Sequence, residues 1–372
     1  AVWVHAVAAV PWLFWIFRLA FLAIPRVWEE AALLDATPWK VLTRITLPLA
    51  APAMLAGVLY VLIICATEIT VTDRYQFRSY AEVLYSEFVL SSDFRELPLG
   101  LWPIMALMLG VLISGLMLCR VALPRLVQAT ASTQTVIAQR SRIAVGFVLA
   151  VVILLFFLPI GNLVYQAGIE VTADGDARIR SWSLSKLLRL VAGSPIRYRT
   201  ELAWTAILVQ LSTLAAIAVA TVAGWWARRH SWRLTANAVV ATLCFVVPGP
   251  LLGIAIIAAL NGPTGSLRGW LYADTIFAPW LALFVRSLPF AYLLVIYGLN
   301  SIPETIYEAA EADGAGWWTS LSFVALPMLW PHLSCAVFVC LAVGVAELSA
   351  SVMVMPPGMT TVASEIFNLI HY

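Results

Sequence analysis

LPFAYLLVIYGLNSIPETIYEAAEADGA, residues 288–315, decides the fold because it occurs twice. Its earlier copy is VPWLFWIFRLAFLAIPRVWEEAALLDA, residues 10–36. Pro11 corresponds to Pro289, Pro25 to Pro303, and Glu30-Ala31-Ala32 to Glu308-Ala309-Ala310, each 278 residues apart. Further on the offset becomes 279, pairing Leu47-Pro48 with Leu326-Pro327, Pro52 with Pro331 and Glu68 with Glu347. One residue is therefore missing from the first copy between Asp35 and Trp39, and the simplest alignment omits the counterpart of Gly314. Prolines, acids and spacing agree together, which shared composition alone does not produce. Self-similarity of this kind marks a repeated structural unit.

The surroundings of both copies are apolar. Of 372 residues 62 % are hydrophobic and 11 % charged, with a mean hydropathy of +0.92. Soluble domains carry about 45–50 % apolar and about 25 % charged residues, so a soluble enzyme and a disordered tail are excluded. Twenty-two basic against twenty acidic residues leave +2, too little for a nucleic-acid footprint. Five cysteines lie mostly in apolar runs without a Cys-x-x-Cys spacing, which argues against a disulfide framework or zinc site.

A membrane helix needs roughly 20 mostly apolar residues. Eight stretches qualify, at about 2–24, 49–68, 99–119, 143–165, 202–226, 234–260, 275–300 and 328–350. None alternates with a period of two, so the expected class is an all-α polytopic membrane protein rather than a β-barrel. Basic residues collect on the cytoplasmic side of short loops. Arg120, Arg125, Arg140 and Arg142 in 120–142, and Arg228, Arg229 and Arg233 in 227–233, place both segments there. The loops 25–48 and 301–327 then share that side, a parallel arrangement rather than an inverted-topology repeat. Segment 166–200 runs against the rule, with six basic residues on the external side beside Glu170, Asp174 and Asp176. Within it, 182–192 has the pattern of a short interfacial helix. The Ser/Thr/Gln-rich segment 121–142 reads as a cytoplasmic linker between a first unit, 1–120, and a second, 143–372. Most of the 16 tryptophans near span ends read as interfacial anchors.

Each repeated loop reads as a short helix, a turn and a second short helix ending at Leu-Pro. Pro303 opens a helix where its missing N–H costs little. Ala309 and Ala310 keep one face slim for close docking, and Gly314 suits a helix stop. Trp317, Leu321 and Val324 recur at helical spacing against the bundle. The first copy matches through Pro25, Glu30, Ala31, Ala32, Trp39, Leu42, Ile45 and Pro48. Asp35 and Asp313 read as local caps or surface ion pairs. Two slim acidic loops on one face are what a symmetric cytoplasmic partner requires.

EAAEADGAGWWTSLSFVALPMLWP (308–331) resembles the EAA loop of permease subunits of binding-protein-dependent ABC importers, and EAALLDATPWKVLTRITLPLAAP (30–52) matches it except for the glycine. VVPGPLLGIAIIAALNGP (246–263), ELSASVMVMPPGMTTVASEIFNLIHY (347–372) and EITVTDRYQFRSYAEVLYSEF (68–88) extend the likeness to the fused two-unit permeases of iron(III)-type importers. The resemblance implies a duplicated MetI-like transmembrane fold with twelve spans, of which about eight would be present. On that expectation, and because the sequence opens on Ala1 rather than Met, the first unit lacks its start and the second its last helix. The resemblance further implies a cytoplasmic homodimer of ABC ATPases that binds ATP and Mg, no cofactor in this chain, and a periplasmic or lipoprotein solute-binding protein outside. It assigns coupling to Glu30, Ala31, Ala32, Glu308, Ala309, Ala310 and Gly314. The glycine missing from the first loop, a departure from the family's pattern, leads us to expect unequal ATPase contacts, with 308–316 the better formed. Iron(III) is the solute implied first, with thiamine and phosphonates as alternatives.

The chain itself excludes ATP hydrolysis. Its two lysines, Lys40 and Lys186, follow no glycine-rich loop. No HExxH or Gly-x-Ser-x-Gly occurs, so a membrane enzyme is disfavoured. A secondary transporter would need an inverted repeat or a buried ion relay, and a scaffold subunit leaves the paired loops unexplained. Ionisable groups within spans are costly and often functional, which makes Arg18, Arg286, Glu68 and Glu347 candidates for the solute pathway. The plainer reading is pairing with one another or with headgroups.

Overall fold

The computed structural model describes residues 2–67 apart from Ala23, residues 142–371 apart from 175, 176 and 264, and scattered positions between 71 and 113. The stretch 99–119, the linker 121–141 and Glu68 lie outside the described residues in whole or in large part. The chain divides into two compact units, one of residues 1–133 with 204–372 and one of residues 134–203.

In the larger unit the first copy forms α1 (Val2–Leu22), α2 (Arg26–Leu33), α3 (Pro38–Val41) and α4 (Leu47–Thr67). Ala20, Ile24 and Ala50 are buried where α1 packs on α4. In the smaller unit α5 (Arg142–Val152) and α6 (Leu158–Gly168) are joined by a π-helical turn, followed by strands β1 (Ile169–Asp174) and β2 (Ala177–Trp182) and helix α7 (Leu184–Arg197). The remaining helices are α8 (Arg199–Ala227), α9 (Ser231–Val246), α10 (Gly249–Leu260), α11 (Leu267–Ala273), α12 (Phe277–Ser301), α13 (Glu304–Ala312), α14 (Trp317–Thr319), α15 (Leu326–Ala346) and α16 (Val362–His371).

Five of the described helical stretches are long and apolar enough to cross a membrane: Pro38–Ala66, Val145–Gly168, Arg199–Ala227, Phe277–Ser301 and Trp317–Ala346. They make this a multi-pass membrane protein. The stretch expected as one span at 234–260 is not straight: α9 and α10 meet at 103°. Pro248 and Pro250 supply no N–H, so the helical ladder breaks there and leaves carbonyls without intrahelical donors. The all-α membrane architecture carries one addition, the antiparallel hairpin β1–β2, paired from Ile169↔Trp182 to Asp174↔Ala177. Alternation of Ile169, Val171 and Ala173 ahead of Asp174-Gly175 was the available signal.

Small residues bring the helices of the larger unit together. Ala216, Ala220 and Gly224, spaced by four, are buried along α8. A methyl group on Gly224 would sit 3.1 Å from Leu299 of α12. One on Gly298 would sit 2.7 Å from His332 and 2.8 Å from Leu329 of α15. Close backbone approach of this kind is how helices associate in lipid, where water supplies no hydrophobic drive between them.

Leu42–Thr46 and Ser320–Ala325 are both π-helical turns directly before the Leu-Pro that opens α4 and α15, and Ile153–Phe157 stands in the same way before Leu158-Pro159, outside the repeat. Such turns are uncommon and recur at functional sites. Four aromatic rings form a seam where the first copy meets the later helices. Trp12 lies 6.0 Å from Phe290 and 5.8 Å from Tyr60, Tyr60 stacks on Phe245 at 5.4 Å, and Phe245 meets Phe290 edge-on at 5.8 Å.

Candidate functional site

The second repeated loop is built around α13. Pro303 takes an extended conformation at its N-cap and Glu304 stands in the first turn, where a negative charge complements the helix dipole. At the other end Ala315 N donates to Ala310 O and Gly314 N to Glu311 O, at 2.9 and 3.0 Å. Gly314 sits at φ +85. This pair of bonds around a left-handed residue closes the helix and satisfies its last carbonyls.

One face of α13 is locked to the bundle. Tyr307 is 1 % exposed and belongs to a core cluster with Trp225, Leu299, Ile302, Leu321 and Leu329. Its ring meets Trp225 edge-on at 5.2 Å. The Arg228 guanidinium packs against both rings, 3.9 Å from the Trp225 centroid and 4.2 Å from that of Tyr307. The same group donates to Glu304 Oε1 at 3.0 Å and Oε2 at 3.2 Å. Arg229 bonds Glu311, about two turns further along α13. Arg228 and Arg229 stand in the short turn between α8 and α9, so this turn grips α13 at two points. The Arg229 hydrogen bond holds the Glu311 carboxyl below its ordinary range, and burial pushes the Tyr307 hydroxyl up to about 12.

The opposite face is open. Glu308 and Ala309 are exposed and Ala310 is half-buried. Gly314 has no neighbouring heavy atom near its missing side chain. In the first loop Glu30 and Ala31 are exposed and Ala32 is half-buried. Asp35 and Asp313 are exposed at the ends of their helices.

The anchors of the two loops differ. Offset by 278, Tyr307 corresponds to Glu29, Glu304 to Arg26 and Glu311 to Leu33. Glu29 accepts a 2.6 Å hydrogen bond from Thr46 Oγ1 in the π-helical turn. The first loop thus holds itself by a polar bond where the second uses an aromatic plug. Its turn closes without a glycine, through Ala36 N donating to Ala32 O at 3.0 Å. None of these anchors was singled out from sequence. Arg228 and Arg229 had served only to assign sidedness, and Glu304 is 76 residues away from Arg228.

Of the charges expected near the pathway, two are brought together. Arg286 Nε lies 3.4 Å from Glu347 Oε2, with both side chains nearly buried. Arg286 also donates to Phe245 O at 3.4 Å and Val247 O at 3.0 Å, carbonyls at the α9–α10 break. Glu347 Oε1 accepts from Ser349 Oγ and Ala350 N at 2.8 and 2.9 Å. The pair therefore ties the broken helix, α12 and the turn after α15 into one joint. Arg18 is exposed on α1. Among the described residues no three His, Cys, Asp or Glu side chains converge as a metal-binding group.

Residues 216–370 match the family described as the binding-protein-dependent transport system inner membrane component. A candidate 2-aminoethylphosphonate transport system permease protein, PhnV, of Salmonella paratyphi A is 27 % identical over 245 residues, covering 62 % of this chain and 84 % of the relative. The molybdenum transport system permease protein ModB of Azotobacter vinelandii is 29 % identical over 171 residues, covering 43 % of this chain and 76 % of the relative. A candidate ferric transport system permease protein, FbpB 1, of Haemophilus influenzae is 30 % identical over 125 residues, covering 34 % of this chain and 17 % of the relative.

Proposed function

We propose, from the membership of residues 216–370 in the family of inner-membrane permease components of binding-protein-dependent importers, that this chain couples ATP hydrolysis by partner subunits to solute import through two cytoplasmic loops. The chain is a transport subunit and not an enzyme. The observation that carries the coupling reading is the two-faced setting of α13. Tyr307, Glu304 and Glu311 fasten it to the bundle, while Glu308 and Ala309 stay free for a partner. A helix held on one side and presented on the other can move the bundle when the free side is pulled. In this reading a dimer of ATPase subunits grips α13 through Glu308, Ala309, Ala310 and Gly314, and α2 through Glu30, Ala31 and Ala32.

The contact of Trp12 with Phe290, its counterpart 278 residues on, supports a duplicated pair of units, 1–120 and 143–372, joined by 121–142. Unequal anchoring supports unequal ATPase contacts, with the second loop the firmer. Glu68 and Arg18 remain proposed pathway groups, and Arg286 with Glu347 a structural joint beside the pathway.

The solute is a small one delivered by a binding protein. Iron(III) rests on a relative matched over 17 % of its length, whereas the phosphonate-named relative is matched over 84 %. Coverage therefore favours a phosphonate-like solute for the first trial, with iron(III) as the second. The test is reconstitution of the chain with its ATPase subunits and binding protein, after calorimetry of that binding protein with 2-aminoethylphosphonate and with iron(III). Solute uptake is expected only with ATP and the ATPase subunits. Uptake by the chain alone overturns the proposal.

A further inference from the structure

Helix α7, with its 14 residues, belongs neither to the spans nor to the coupling loops. Leu184, Leu188, Val191 and Pro195 fall on one face at spacings of four, three and four, and Lys186, Arg189, Gly193 and Arg197 on the opposite one. The apolar face is uncovered. Leu184 is 55 % exposed, Leu188 59 % and Val191 64 %. Val171 and Trp182 on the hairpin that precedes α7 are exposed as well.

Both ends of α7 are fixed. Ser183 N donates to Gly168 O at 2.8 Å, joining the start of α7 to the last residue of α6. Lys186 Nζ donates to Ile169 O, one residue further on. The Trp182 indole covers Gly168 so closely that a side chain there would strike it. At the other end only Tyr198 separates α7 from α8. Val145–Gly168 and Arg199–Ala227 each qualify as spans. The chain leaves the bilayer after Gly168 and re-enters at Arg199, so both points lie at one membrane face. A helix of about 21 Å held at both ends to one face runs along it.

We propose that α7 lies in the membrane–water interface, with Leu184, Leu188 and Val191 in the lipid and its basic residues at the level of the phosphates. A charged face opposite an apolar one is the signature of helices that lie on a bilayer. The occupant is lipid because the helix is held at both ends to the surface where lipid already is. It also accounts for the six basic residues of segment 166–200, which answer headgroup phosphate rather than mark sidedness.

The test uses the full chain with its five cysteines replaced, in bilayer discs of phosphatidylcholine and phosphatidylglycerol. Spin labels are placed singly through Leu188→Cys, Val191→Cys, Arg189→Cys and Gly193→Cys. Collision with oxygen and with a water-soluble nickel chelate gives depth. Labels at 188 and 191 are expected to meet oxygen and not nickel, about 5–10 Å below the headgroups, while those at 189 and 193 meet nickel. Equal nickel access at all four positions overturns the proposal, as does shielding of 188 and 191 from both probes, which would mean a protein covers the face. Elution of each labelled chain at the wild-type position checks that it is folded.

Discussion

Arg228 carries an ionic and a stacked contact on one guanidinium, which fits arginine and not lysine. Each cation–π contact at a desolvated site is worth about 0.5–2 kcal/mol. Arg228→Ala is therefore expected to lower solute-stimulated ATPase activity roughly 10-fold, the factor that about 1.4 kcal/mol sets, while membrane expression stays at wild-type level. Arg228→Lys restores part of it, through charge without the planar stack. Unchanged stimulation in the alanine variant would show that the grip on α13 does not transmit. Glu311 gives a pH-dependent version of the same question. Its carboxyl is held below the ordinary range by Arg229, so its contribution is complete above the ordinary carboxylate value. It is lost as pH falls through the lowered one. The difference in thermal midpoint between wild type and Glu311→Gln is expected to vanish on acidification to that point. A constant difference would place its cause elsewhere.

At the scale of elements, the two loops differ in how they are held, and this has a kinetic consequence. The second has Tyr307 in the core and a glycine-closed end. The first has one hydrogen bond to a π-helical turn and no glycine. Glu308→Ala is expected to reduce coupled ATPase more than Glu30→Ala, and equal losses would remove the asymmetry. The joint at the α9–α10 break belongs to this scale too. Arg286 satisfies the Phe245 and Val247 carbonyls, which the bend deprives of helical donors, and Glu347 balances its charge. Removing one partner of a buried pair costs about 3–5 kcal/mol. Arg286→Met and Glu347→Gln are each expected to lower the thermal midpoint sharply, and the double variant to lose less than the sum. Additive losses would mean that the two side chains act independently.

For the whole molecule, five of the eight expected spans and both loops were legible because their signals are local: apolar runs of membrane length, prolines at helix starts, Gly314 at a helix end. The break within 234–260 was legible in Pro248-Gly249-Pro250, which interrupts the apolar run, whereas its angle was not. The hairpin was hidden by its polarity, which resembles that of a loop. The grip of Arg228 and Arg229 on α13 was not legible at all. It depends on bringing together residues 76 apart, and no local pattern reports that distance.

The contact between Trp12 and Phe290 carries a last consequence. These residues are 278 apart, the offset that relates the two copies, so each faces its own counterpart across the seam. In a pair of identical subunits a residue on the twofold axis must fit its twin. On the proposed duplication, one chain that holds both halves is released from that rule, and here an indole faces a phenyl ring. Trp12→Phe and Phe290→Trp are then different experiments, the first thinning the seam and the second crowding it. A self-paired axis could offer only one of them, always made twice.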